Sequence, residues 1–71
     1  MWIKSQNKMK MVKCTDFSYR YSRKSNQYEV LVNGKIMGYY NTLEGARNVF
    51  RSIENNIIDG QFMFFMPCGE L

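Results

Sequence analysis

The chain has 71 residues, of which 45% are hydrophobic and 15% aromatic, and its formal net charge is +4. This composition indicates one globular domain, residues 1–71, near the lower size limit for folding alone, and it excludes a disordered chain. The sequence contains no histidine, which excludes the usual Ser-His and Cys-His nucleophile pairs and the commonest metal ligand. We therefore expect no enzyme, no bound metal and no cofactor.

Positive charge is concentrated at the start of the chain. The first 24 residues carry seven Lys and Arg against one acid, about +6, while the remainder carries three against five, about −2. Such asymmetry predicts an anionic partner, namely nucleic acid, a nucleotide, an acidic protein face or a membrane surface. The alternative is a solvated face that keeps a small protein soluble.

Neither a signal-peptide core nor an apolar run long enough for a membrane span is present in the sequence. We therefore expect a protein of the cytoplasm that does not bind membranes. Its two cysteines, Cys14 and Cys68, are then expected to be reduced.

Three strands are predicted in the basic third of the chain. The first runs from Met1 to Gln6, and Asn7-Lys8 follows as a turn. The second runs from Met9 to Cys14, with Met9, Met11 and Cys14 on one face and Val12 out of phase. The third is residues 17–23, which place Phe17, Tyr19 and Tyr21 on one side and polar or basic residues on the other. Residues 23–26 read as the turn after it.

A hairpin that leads directly into a helix is predicted between residues 28 and 58. Asn33-Gly34 is the strongest short signal for a two-residue hairpin turn, because both residues tolerate positive φ. Counting outward from this turn pairs Val32 with Lys35, Val30 with Met37 and Tyr28 with Tyr39, all on the side that faces the helix. The helix has its apolar stripe at Leu43, Ala46, Phe50, Ile53 and Ile57, with Thr42 as N-cap and Gly60 after its end.

Residues 61–66 contain five consecutive apolar residues, which are typical of a strand covered on both faces. This strand is expected in the centre of the sheet, beside the Trp2 strand, or at a subunit interface. We expect a homo-oligomer, a dimer or higher, formed through Phe62, Phe64 and Phe65; the alternative is a monomer whose sheet encloses the strand. The fold class is α+β, a small antiparallel sheet of about four to five strands with one helix on one face, in the order β-β-β-β-α-β.

Two groups of residues have the chemistry of a binding site. The first group combines an indole that can stack on a base with lysines for phosphates and polar groups for base edges, and it comprises Trp2, Lys4, Ser5, Gln6 and Lys8. The alternative for Trp2 is a core anchor under the last strand. The second group interleaves aromatic and basic residues, as nucleic-acid surfaces do, and comprises Tyr19, Arg20, Tyr21 and Arg23. Its alternative is an ordinary outer strand face.

The residues from Tyr19 to Ile57 carry a first resemblance, based on Asn33-Gly34-Lys35, residues 37–40, Thr42, and Glu44 with Ala46. They resemble the three-strand-plus-helix DNA-binding domains of plant ethylene-response factors and phage integrase arms. That resemblance implies a sheet that reads the major groove with Arg and Trp side chains. Here Glu29, Val30 and Leu31 occupy one strand of that sheet instead.

The two ends of the chain carry a second resemblance. Residues 2–8, Trp-Ile-Lys-Ser-Gln-Asn-Lys, and residues 65–67, Phe-Met-Pro, resemble small uncharacterised proteins of phages and prophages of Gram-positive bacteria. By analogy, that resemblance implies a non-enzymatic inhibitor or ligand sponge that acts against host defence. The basic first third of the chain makes a nucleotide-type immune signal or an acidic protein surface the preferred target. The alternatives are a DNA-binding regulator of the mobile element and a virion assembly component.

Overall fold

The computed structural model describes residues 1–68, which form six strands and one helix. The elements are β1 (Trp2–Lys4), β2 (Met11–Lys13), β3 (Phe17–Ser22), β4 (Gln27–Val32), β5 (Lys35–Tyr40), α1 (Leu43–Ile58) and β6 (Met63–Phe65). The α+β class is therefore confirmed. A helix packed on an antiparallel sheet is also found, but the strands of residues 1–68 number six and form two sheets of three instead of one sheet of four to five.

The two sheets differ in how their strands are connected. The N-terminal sheet has the order β2-β1-β6, and β6 runs parallel to β1. A parallel pair needs a long connection, which the meander and the helix provide here. The meander sheet has the order β3-β4-β5 with antiparallel neighbours. The strand of residues 61–66 thus lies beside the Trp2 strand, at an edge of its sheet and not in the centre.

The predicted turn at Asn33-Gly34 is confirmed. Both residues have positive φ, 55° and 78°, as a two-residue hairpin turn requires. The Asn33 side chain also joins the two sheets, because its Oδ1 accepts hydrogen bonds from Thr15 and Asp16 and its Nδ2 donates to the Lys13 carbonyl at 2.7 Å.

A β-bulge changes the register of this hairpin beyond its first pair. Val32 pairs with Lys35 as predicted, but Val30 pairs with Gly38 instead of Met37. Met37 is the extra residue in β5, and it enters the core. The predicted pairing of Val30 with Met37 is therefore wrong.

Beyond the bulge, the side chains of β5 change faces. Tyr28 pairs with Tyr40 instead of Tyr39. Tyr40 is 1% exposed in the core, whereas Tyr39 is 41% exposed on the outer face of the meander sheet. The predicted position of Tyr39 against the helix is wrong, because one inserted residue reverses the alternation of a strand.

The helix begins and ends as the sequence predicts. Thr42 is the N-cap and its side chain accepts a hydrogen bond from the Gly45 amide at 3.0 Å, while Gly60 follows the helix with a φ of 71°. The buried face consists of Gly45, Ala46, Val49 and Ile53, with Phe50 half-buried beside it. Leu43 and Ile57, at the two ends of the predicted stripe, are exposed.

The core lies between the inner faces of both sheets and the helix. It consists of Ile3, Val30, Val32, Met37, Tyr40, Ala46, Val49, Ile53 and Met66. From β2 it receives Val12, the residue out of phase in the sequence pattern, whereas Met9 and Met11 are 81% and 50% exposed. Among residues 1–68, no helix has the length and apolar character needed to cross a membrane.

Candidate functional site

Arg20, Glu29 and Tyr39 form a row across the outer face of the meander sheet, one residue from each strand. Strand alternation places them opposite the side chains that pack on the helix. The Arg20 Nε donates a hydrogen bond of 2.9 Å to Oε1 of Glu29. Among residues 1–68, Arg20 and Glu29 form the one ion pair. The pair leaves the four other guanidinium N–H groups of Arg20 available to a ligand.

A cleft of about 400 Å³ opens beside this row. Its lining residues are Arg20, Ser22, Lys24, Ser25, Glu29, Ile36 and Tyr39. The Oγ of Ser25 is buried and has no hydrogen-bond partner. We call this concavity the Arg20 cleft. It combines two cations, one carboxylate that is already paired, hydroxyl groups and an exposed phenol ring.

The Gln6 side chain holds the strand that carries Tyr39. Its Oε1 accepts from the Tyr39 amide at 2.8 Å and its Nε2 donates to the Tyr39 carbonyl at 3.0 Å, as a neighbouring strand would. A third hydrogen bond joins Nε2 to the carbonyl of Pro67 at 3.3 Å. Gln6, predicted to contact a ligand, therefore has its amide engaged in joining the N-terminal segment to β5.

Ser5 and Lys8 belong to the turn between β1 and β2. Ser5 is buried, and its Oγ donates to Oδ1 of Asn7 at 2.7 Å and accepts from the Lys10 amide at 3.1 Å. Lys8 has a φ of 65°, and its amide donates to the Ser5 carbonyl at 2.9 Å. The hydroxyl of Ser5 closes the turn, and the Lys8 side chain lies outside the Arg20 cleft.

Trp2 and Lys4 lie on the outer face of the N-terminal sheet. Ile3 between them is fully buried, so its two neighbours point the other way. The registers of β2 and β6 complete two rows on this outer face, Lys13–Trp2–Met63 and Met11–Lys4–Phe65. We call these six residues the lysine–aromatic face. Trp2 is half-buried on this outer face beside the last strand and is not part of the core, so the alternative of Trp2 as a core anchor is wrong.

The second predicted group is divided between two faces of the meander sheet. Tyr19 packs on the core with its ring 5.3 Å from that of Phe50, and Tyr21 contacts Tyr28 at 5.1 Å. Arg20 points to the opposite face, into the Arg20 cleft, and Arg23 is exposed in the turn after β3. Of this group, the structure brings only Arg20 to the cleft.

The cysteines and acids form no further centre among residues 1–68. Both cysteines are free. Burial raises the pKa of the half-buried Cys14 thiol above its ordinary value, and the nearby carboxylate of Asp16 acts in the same direction, against the opposing effect of the N-terminal amine. Within the same range, no group of three or more His, Cys, Asp and Glu side chains could hold a metal ion.

The cleft residues Lys24, Ser25 and Tyr39 were not predicted from the sequence. The sequence did contain a signal for Glu29, the partner of Arg20. Counting outward from the turn at residues 23–26 places Arg20 opposite Glu29, a complementary charge pair. Comparison of the chain with known protein families, with curated proteins and with solved structures gives no match.

Proposed function

We propose that this chain is a non-enzymatic binding protein of the phage counter-defence kind, which sequesters a nucleotide-type immune signal in the cytoplasm of a bacterial host. The observation that carries the proposal is the Arg20 cleft, where Arg20 is held by Glu29 beside Lys24 and the ring of Tyr39. The phage assignment itself rests on the resemblance of the two chain ends.

The electrostatics of the cleft favour a phosphate. The pair with Glu29 fixes the direction of the Arg20 guanidinium, and a planar guanidinium binds phosphate oxygens in pairs. Lys24 adds a second positive charge, and the unpartnered Ser25 hydroxyl can donate a hydrogen bond. Arg20 and Lys24 exceed the single carboxylate of Glu29 by one positive charge, so the cleft is net cationic toward a ligand.

The walls of the cleft favour a ligand that also has a ring. Tyr39 presents an exposed aromatic surface beside the apolar Ile36. Base-on-aromatic stacking contributes about 1–3 kcal/mol per base. A cleft of this size can hold a small nucleotide. Binding of an acidic protein surface would instead require an interface about as large as a standard protein–protein contact.

Calorimetry with cyclic dinucleotides and ADP-ribose derivatives tests this proposal. We expect saturable binding by the wild-type chain and a loss of affinity of about tenfold or more in Arg20→Gln and in Lys24→Gln, because hydrogen bonds to charged groups contribute about 1.5–3 kcal/mol. Arg47→Gln, an exposed cation on the helix, is the matched control and should bind as wild type does. Flat titrations with every ligand would remove the proposal.

The absence of turnover is tested in the same samples. The ligand recovered after long incubation and denaturation of the protein should be chemically unchanged when it is analysed by chromatography. A product that accumulates with time and with protein concentration would contradict a binding protein and indicate an enzyme.

We also propose that two copies associate through the open edge of β6. Phe62 is 72% exposed, and within residues 1–68 β6 pairs with β1 alone. Phe65 is 63% exposed, but its side chain lies on the outer face of the sheet beside Lys4 and not at this edge. Phe64 packs on the core of its own chain, so its side chain would lie outside such an interface. Native mass spectrometry should show a dimer that Phe62→Lys weakens and that Ile58→Lys, an exposed helix position, leaves intact. A monomer at all concentrations would contradict this association.

A DNA-binding regulator is the second candidate function. It is favoured by three cations close in sequence, Arg20 in β3 and Arg23 and Lys24 in the turn between β3 and β4. Such a protein should retard labelled duplex DNA, with an affinity that falls steeply with salt and in Arg23→Ala. Unchanged mobility of the duplex at low salt would end this second candidate.

A further inference from the structure

We propose that the lysine–aromatic face binds single-stranded nucleic acid, at a site separate from the Arg20 cleft. Its six residues lie in two rows across three strands, Lys13–Trp2–Met63 and Met11–Lys4–Phe65. None of them is acidic. The face therefore offers two positive charges and two aromatic rings with no carboxylate in either row.

The exposed apolar groups of this face are not needed by the core of the chain. The opposite side of the same sheet already supplies Ile3, Val12 and Phe64 to the core. Phe65 and Met11 are exposed on the outer side, one on each side of Lys4, and Trp2 and Met63 in the neighbouring row are half-buried. Exposed apolar groups that lie beside charged ones are typical of interaction surfaces.

The spacing of the rings fits neighbouring bases. Trp2 in β1 and Phe65 in β6 are diagonal neighbours, and strand geometry separates their backbones by about 8 Å. Lys13 lies beside Trp2 on β2, and Lys4 lies two residues from Trp2 on β1, beside Phe65. Sheets that carry aromatic residues on neighbouring strands bind single-stranded RNA by stacking successive bases on the rings, while cations contact the phosphates.

The same features argue against other occupants. Duplex DNA keeps its bases stacked inside and gives the two rings no partner. A second copy of this face would bring four lysines together without an acid, which is electrostatically unfavourable. An acidic protein surface would satisfy the lysines but would not require aromatic rings at the spacing of bases.

Trp2 is the only tryptophan of the chain, so its fluorescence reports on this face directly. Titration with a short oligothymidylate should quench the emission, because a stacked base quenches indole fluorescence. Polyglutamate of matched charge and duplex DNA of the same length are the comparison ligands, and both should leave the emission nearly unchanged. The wild-type chain alone is sufficient for this comparison.

The salt dependence and the variants test the roles of individual residues. With two phosphates contacted, the logarithm of the affinity should fall with the logarithm of salt concentration with a slope of about −1.4. Phe65→Ala should lower the affinity about tenfold, the effect of losing one stacked base. The double variant Lys4→Gln with Lys13→Gln should abolish the salt dependence, whereas Lys35→Gln at the hairpin tip should change nothing.

Three outcomes would overturn the proposal: no quenching by oligothymidylate, equal binding of polyglutamate, or tighter binding of duplex DNA. The second outcome would identify an acidic partner surface, and the third a duplex-binding protein. Arg20→Gln should leave the quenching by oligothymidylate unchanged. The failure of this proposal and the failure of the nucleotide proposal for the Arg20 cleft are therefore distinguishable.

Discussion

Arg20 and Glu29 are joined by a hydrogen bond of 2.9 Å, yet the Arg20 side chain is 61% exposed and the Glu29 side chain only 5%. The carboxylate is therefore almost completely removed from water, and one exposed partner compensates its charge. The arginine, in turn, is held at the edge of a cleft with most of its N–H groups unused. One ion pair thus serves the folded structure and the candidate site together.

Removal of Arg20 should destabilise the chain more than removal of an ordinary surface arginine. Arg20→Met leaves the buried Glu29 carboxylate without its partner, which should lower the free energy of unfolding by about 1–3 kcal/mol. Urea denaturation followed by circular dichroism measures this loss. Arg47→Met on the helix should cost less than about 0.5 kcal/mol.

The double variant Arg20→Met with Glu29→Gln tests whether this loss comes from the unpaired charge. Because the uncharged amide needs no cation, the double variant should recover part of the stability that Arg20→Met loses. A double variant that is less stable than both single variants would show that the pair is not the source.

Gln6 is expected to act through the backbone of Tyr39. Gln6→Glu keeps an acceptor for the Tyr39 amide but replaces the N–H donor with a carboxylate next to the Tyr39 carbonyl. We expect a loss of about 1–3 kcal/mol in the free energy of unfolding, measured by urea titration. Gln61→Glu, the same change at an exposed position, is the matched control. Equal stability of the two variants would contradict the bridging role of Gln6.

Gly38 is required by a close approach of side chains and not by its backbone conformation. A Cβ atom there would lie 3.0 Å from the Tyr40 ring and 3.1 Å from the Met66 Cε. Gly38→Ala should therefore lower the free energy of unfolding by about 1–3 kcal/mol through overpacking, as measured by thermal denaturation.

Gly34 provides the contrast to Gly38. A Cβ atom at Gly34 meets open space, but the residue has a φ of 78°. Asn tolerates that conformation, so Gly34→Asn should retain most of the stability that Gly34→Ala loses. Gly38→Asn should be worse than Gly38→Ala, because its larger side chain increases the clash. If Gly38→Asn were more stable than Gly38→Ala, the backbone conformation of Gly38, and not the space around it, would limit substitution at this position.

Cys14 should react more slowly with alkylating agents than Cys68 does. Burial raises the pKa of Cys14 above its ordinary value of 9.0, and thiolate is the reactive form, whereas Cys68 is exposed. Mass spectrometry after brief treatment with iodoacetamide at pH 8 should show one label, on Cys68. In urea, both cysteines should be labelled at similar rates, and fast labelling of folded Cys14 would contradict its burial.

The same pKa shift fixes the sign of a pH effect. The unfolded chain loses the Cys14 proton at a lower pH than the folded chain, so the folded state binds more protons near and above pH 9.0. The stability that this thiol contributes is therefore present below that pH and lost above it. Cys14→Ser should reduce the alkaline decline in the free energy of unfolding measured by urea titration. An unchanged decline would assign it to other groups.

The hairpin shows both what local sequence predicts and where it stops. Asn33-Gly34 determines its own turn, because few residue pairs adopt positive φ twice. The bulge at Met37 has no comparable local signal, and the close approach of the Tyr40 ring to Gly38 beside it is known only once the core is assembled. Alternation along the strand therefore predicted the wrong face for Tyr39.

The candidate site was less predictable than the fold for a related reason. Arg20 and Trp2 were singled out by residue type alone, but their partners come from neighbouring strands, as Tyr39 and Phe65 do. A polar side chain that lies close to unpaired backbone groups of another strand, as Gln6 does, forms hydrogen bonds with those groups. The side chain is then engaged before any ligand can use it. Residue type predicts chemistry, and strand register decides which residues share a surface.

The most direct test of the nucleotide proposal is an amide NMR titration of the labelled chain with cyclic dinucleotides and ADP-ribose derivatives. Saturable shifts should appear for residues of the Arg20 cleft, above all Arg20, Lys24 and Tyr39, and the exposed helix residues Arg47 and Glu54 should not shift. A spectrum that stays unchanged with every ligand, or shifts that avoid the Arg20 cleft, would contradict the account.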